Sequence, residues 1–162
     1  MKIENLQALF HHTLKDIYFA ENLIVKSLPK MIRKTESKAL AKALDDHLLE
    51  TKEQVKRLDN VFELIGEKAE AEKCPAIEGI IEEAEELMSE VKDSDTRDAA
   101  IIAAAQAVEH YEITRYGTLV SWGKLLGLDD AVKELSATLK EEYKADTTLT
   151  KLAESKLNKQ AA

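Results

Sequence analysis

Glu21, Glu50, Glu109, Glu112, Glu142 and Asp146 fall at positions of four predicted helices where core-facing apolar side chains belong. Toward the C-terminus the stripe reads Val132, Leu135, Leu139, Glu142, Asp146, Leu149, Ala153 and Leu157, advancing by three or four residues, so both acids share a face with leucines. The stretch Ile102, Ala105, Glu109, Glu112, Tyr116, Leu119 repeats the pattern, and Phe10, Leu14, Ile17, Glu21, Ile24, Leu28 sets a third acid among apolar residues. His47 and Glu50 share a further stripe with Ala43, Gln54 and Val61. An ionised carboxylate is costly to bury unless it is paired, and several together repel. Bound cations are the simplest remedy.

Iron(II) and manganese(II) accept carboxylate oxygen and imidazole nitrogen, and two such ions can share carboxylates at the centre of a helical bundle. The candidate ligands are Glu21, His47, Glu50, Glu109, Glu112, Glu142 and Asp146, with two metal ions as cofactor, iron first and manganese as the alternative. Their six acids carry six negative charges, which two trivalent ions would balance and two divalent ions would not. In the reduced form, one carboxyl is then expected to stay protonated or to lie outside direct coordination.

The elements that position these residues are helices. Two prolines, five glycines and no strand-type alternation accompany a sequence rich in Ala, Leu, Glu and Lys. The 162 residues are expected to form one all-α domain. The net charge of −8, without a dense basic cluster, argues against nucleic acid as a partner. No signal peptide, long apolar run or lipidation motif is evident, so a cytoplasmic protein away from membranes is expected. The single Cys74 excludes a four-cysteine metal site.

Periodicity predicts a first helix from about Ile3 to Lys34 containing Pro29, and a second from the Thr35–Ser37 turn to Gly66. A small helix follows over Ala76–Val91, behind Cys74-Pro75. A third long helix, capped by Ser94 or Asp95, ends at Gly127, and a fourth opens at Asp129 or Asp130. From about Leu157 the chain should be a polar, fraying tail. Glu21 and Glu50 are nearly equidistant from the first turn, as are Glu112 and Glu142 from the second, so antiparallel hairpins bring each pair to one level. The long link between helices two and three exceeds what an up-down bundle needs. It can return the chain along the bundle, which is the ferritin-like arrangement with one crossover.

The chain resembles the YciF family of bacterial stress-associated ferritin-like proteins over nearly its full length. The resemblance is carried by Asp16-x-Tyr18-x-Ala20-Glu21, by His47-x-x-Glu50-Thr51, and by Leu139-x-Glu141-Glu142 with Asp146. The most specific string is Ala103-Ala104-Ala105-Gln106-x-x-Glu109-His110-Tyr111-Glu112-Ile113, followed by Tyr116-Gly117-Thr118-Leu119. It implies a ferritin-like four-helix bundle, a dimetal site and a homodimer, without a defined reaction. The Glu109/Glu112 pair is also similar to that of rubrerythrin, whose chemistry is that of a peroxidase. Where the common di-iron pattern has histidine three residues after glutamate on helices two and four, this chain has Glu53 and Ala145. The oxygen-rich site that results is expected to activate dioxygen less readily.

Three functions follow as expectations. The first is a di-iron protein reacting with peroxide or dioxygen in stress protection, an oxidase or peroxidase with no catalytic residue assigned. The second is non-catalytic iron binding or storage, and the third an interaction bundle without metal. Among the remaining residues, Tyr116 is read as core, His110 as packing or support, His11 and His12 as remote, and Cys74 as non-catalytic.

Overall fold

The computed structural model describes residues 3–162. Five substantial helices follow in order: α1 Leu6–Lys34, α2 Lys38–Leu64, α3 Pro75–Glu90, α4 Ser94–Leu125 and α5 Asp129–Leu152. Capping explains the boundaries. Asn5 accepts from the Ala8 amide at 2.8 Å and starts α1 a little after the expected Ile3. Asp93, rather than Ser94 or Asp95, caps α4 through the Thr96 amide at 2.8 Å. Gly66 and Gly127 adopt φ of 73° and 71°, the left-handed turn that ends α2 and α4.

The C-terminus departs from expectation. A π-helical turn, Ala153–Leu157, and a short α6, Asn158–Ala161, continue the chain beyond α5. Leu157 is buried in the core, so apolar packing holds the segment that composition alone marks as a tail.

Paired residues define the topology. Asn60, Arg57, Gln54 and Glu50 of α2 meet Glu134, Glu141, Glu142 and Lys144 of α5, descending one helix while ascending the other. Tyr116 of α4 reaches Glu21 of α1, and Arg97 reaches the Lys34 carbonyl. Thus α1 is antiparallel to α4 and α2 antiparallel to α5, which leaves α2 and α4 parallel across the bundle. The α2–α4 link makes this possible, with α3 packed on α1 and α4. Asp98 of α4, buried, accepts from the Glu36 and Ser37 amides at 2.9 and 2.7 Å and ties the first hairpin loop to the second hairpin. Among the described residues, no helix is long and apolar enough to cross a membrane.

Gly123 lets α4 approach its neighbours. A Cβ there would lie 2.7 Å from Val132 Cγ2 and 3.6 Å from Phe10 Cε2, whereas one at Gly117 would meet nothing within 4 Å. Gly117→Ala is expected to raise stability by about 0.5–1 kcal/mol through helix propensity. Gly123→Ala should lower it by about 1–2 kcal/mol, because the stiff Val132 must shift by more than propensity recovers. Thermal melting of the two variants checks the contrast.

Candidate metal centre

Each of the four long helices contributes to a polar group at mid-bundle. Glu21, Glu112 and Glu142 are 0% exposed, Glu109 2% and His47 6%. One ligand atom from each of His47, Glu109, Glu112 and Glu142 lies within 4.8 Å of the others. His47 Nε2 is 3.1 Å from Glu109 Oε1 and 4.0 Å from Glu142 Oε2. The shorter contact lacks the alignment of a hydrogen bond, and both imidazole nitrogens go without a protein partner. Glu21 adjoins through Tyr116, whose hydroxyl donates to Glu21 Oε1.

Inward-facing carboxyls on adjacent turns follow from helical spacing. Glu109 and Glu112 are three residues apart on α4, so both point to the same side and present oxygens at two heights. The electrostatic consequence is severe. Burial, followed by the charge of Glu142, pushes the Glu21 carboxyl well above the usual range, with Tyr116 opposing by donation. Burial does the same to Glu112, reinforced by the charges of Glu142, Glu21 and Glu109. Glu109 is raised by burial and then by its contact with Glu142. The Tyr116 hydroxyl is also raised, by burial and then by Glu21, which keeps it a donor.

With its carboxyls ionised, the group leaves seven acceptor or ring atoms without a hydrogen-bond partner: Glu21 Oε2, both His47 nitrogens, Glu109 Oε2, both Glu112 oxygens and Glu142 Oε2. Buried polar atoms are rarely left in this state. Oxygen donors with one imidazole suit divalent iron or manganese, and four carboxylates match the charge of two divalent ions. The residues are therefore of the kind that could hold a metal ion.

Glu50 and Asp146 are not brought into this group. Glu50 turns to Lys144, with Oε1 3.0 Å from Nζ. Asp146 accepts from Gln106 at 2.9 Å and lies 3.2 Å from His110 Nε2. Both sit at the margin of their helix's inner face, where a partly exposed acid can find a polar partner of its own.

Gln54, on the α2 stripe with His47, joins this group. It is fully buried and donates through Nε2 to Glu142 Oε1 and, at 3.1 Å, to Glu141 Oε2. Arg57 binds Glu141 with two contacts of 2.7 Å and Thr138 at 3.1 Å. A chain of polar contacts thus runs from Arg57 through Glu141 and Gln54 to Glu142. The available signal was an amide seven residues from both His47 and Val61 on the core stripe of α2. Tyr116 is core, as expected, and also bonds Glu21. His110 is largely exposed, and Cys74 is buried with Sγ 3.1 Å from the Tyr111 hydroxyl.

Residues 5–162 match the family described as "Domain of unknown function (DUF892)". Protein YciF of Escherichia coli (strain K12) is 43% identical over 162 residues, covering 99% of this chain and 98% of that protein. The crystal structure of the E. coli stress protein YciF superposes with a TM-score of 0.92, covering 97% of this chain and 99% of that one. YcfI from Rhodopseudomonas palustris superposes with a TM-score of 0.91 at 49% identity, over 92% and 95% of the two chains. A protein from Xanthomonas campestris pv. campestris, 18% identical with a TM-score of 0.72, shares the fold. On a match that spans nearly every residue, and on the helical bundle common to these structures, the chain belongs to the DUF892 family and is similar to YciF throughout its length.

Proposed function

We propose that this protein is a ferritin-like dinuclear metal protein, di-iron in its working form, that reacts with peroxide or dioxygen in stress protection. The observation that carries the proposal is the set of buried, unpartnered donor atoms contributed by α1, α2, α4 and α5. The ligands would be His47, Glu109, Glu112 and Glu142, with Glu21 beside them. When bound, a pair of iron ions supplies two electrons and polarises an oxygen substrate.

The chain's own residues have definable tasks. The carboxylates neutralise the cations, and the imidazole adds a nitrogen donor at the Glu109 side. Tyr116 holds Glu21 by donating a hydrogen bond to it, and Gln54 does the same for Glu142. The surrounding leucines and isoleucines exclude bulk water, which strengthens every charge interaction inside. The stress role is supported by the similarity to a protein described as a stress protein. A homodimer belongs to the same proposal and rests on the family resemblance.

Stopped-flow absorbance of anaerobic, iron(II)-loaded protein mixed with peroxide tests the reaction. Oxidation at least about tenfold faster than that of free iron(II) is expected, the lower end of what a positioned metal contributes. Oxidation no faster than in buffer would leave a metal binder without this reactivity.

A further inference from the structure

We infer that the cleft between α2 and α5, spanned by Glu50 and Lys144, is the port through which divalent cations reach the buried donors, with the Lys144 ammonium as a displaceable plug. The inference rests on the metal-binding reading and assigns Glu50 a task outside the ligand set.

The donors are almost completely enclosed, so a cation needs a path. A cleft of about 100 Å³ reaches them, with Asp46, Glu50 and Lys144 among its lining residues and His47 and Glu109 also on its walls. That volume holds several waters, enough for a cation that sheds its hydration in stages. His47 and Glu109 are more than nine-tenths buried, and His47 Nδ1, His47 Nε2 and Glu109 Oε2 have no partner. The cleft therefore runs from acidic surface groups to unsatisfied donors.

Small side chains keep it open. Ala43 and Ala145 line it, and Ala145 occupies the position three residues after Glu142 where the common di-iron pattern carries histidine. Lys144 reaches across from α5 to Glu50 on α2 at 3.0 Å, and its side chain is 71% exposed against 31% for Glu50. An exposed ion pair of this kind is loosely held and exchanges readily for another cation. The alternative path is poorer. A cavity of about 10 Å³ on the Ile24, Leu28, Met31 and Ile81 side of His47 is apolar and barely admits one water.

Cobalt(II) uptake, followed by stopped-flow visible absorption with the final stoichiometry read by elemental analysis, tests the port. In Lys144→Ala, uptake is expected to be about tenfold faster, since a repelling charge has left an acidic mouth, with the number of ions bound unchanged. In Ala145→Leu, which fills the cleft, uptake should slow by about tenfold or more while the final stoichiometry is again preserved. Wild-type rates in both variants, with wild-type protein still binding cobalt, would overturn the port and leave the metal site standing. A changed stoichiometry in place of a changed rate would also overturn it, by making these residues ligands or supports. Wild-type protein that takes up no cobalt would remove both the site and its port.

Discussion

Glu112→Ala is expected to abolish stoichiometric metal binding. Both Glu112 oxygens are buried without partners, and the side chain stands between Glu21, Glu109 and Glu142. No neighbour can substitute for it. Glu142→Ala should act alike, because Glu142 is within reach of His47 and is also the acceptor for Gln54. For both, affinity should fall by more than about 100-fold, beyond the 10–100-fold usual for a group that only supports a ligand. Gln54→Leu belongs to that supporting range, since Glu142 would keep its place and lose its donor. Glu50→Ala should retain the full complement of ions, because Glu50 pairs with Lys144 outside the cluster. Elemental analysis of the purified proteins after iron(II) or manganese(II) loading measures all four. Two ions retained by Glu112→Ala, or none in the wild type, would exclude the site described here.

Stability should depend on pH and metal in opposite senses. Glu21, Glu109 and Glu112 have carboxyls raised above the ordinary 4.5. In the window between that value and the raised one, the folded state keeps protons that the unfolded chain has released. Stability of the metal-free protein therefore falls as pH rises through this window. Carboxylates held low, such as Glu141 beside Arg57, act in the reverse direction but below their ordinary values. A lower melting temperature at about pH 8 than at about pH 6 is expected without metal. Glu112→Gln mimics the protonated form and should flatten that slope, because a neutral amide removes the cost of keeping a proton that the unfolded chain releases.

Metal should reverse the trend. At a free concentration about 100 times the dissociation constant, a ligand bound only by the folded state adds about 2.7 kcal/mol. For a chain of this length, that corresponds to a rise of about 5–10 °C. The gain should grow with pH, as fewer protons have to be displaced. Calorimetric melts at several pH values, with and without manganese(II), measure both effects. A metal-free melting temperature that climbs between about pH 6 and pH 8, or that is unmoved by Glu112→Gln, would contradict the cluster's electrostatics.

The helices and their order were legible because amphipathic spacing, two left-handed glycines and short hairpin turns are local properties of the chain. The length of the link from α2 to α4 was enough to imply a crossover. The inward direction of Glu21, Glu109, Glu112 and Glu142 was legible for the same reason, each lying at the centre of an apolar stripe. Residues at the margin were not. Glu50 lies three positions from His47 and Asp146 four from Glu142, so each shares a face by spacing but can swing either way. Only the neighbouring helix decides, and it presents Lys144 to one and Gln106 to the other.

By itself, then, the sequence determined an all-helical chain with acids buried at its middle, since periodicity dictates which side chains must leave water. Tertiary structure decided which of those acids converge. Helix docking fixes register and rotation to within a fraction of a turn, and that fraction separates Gln54, locked against Glu142, from Glu50, paired with a surface lysine. It likewise decided that Leu157 belongs to the core, because burial depends on what stands opposite a residue as much as on what it is.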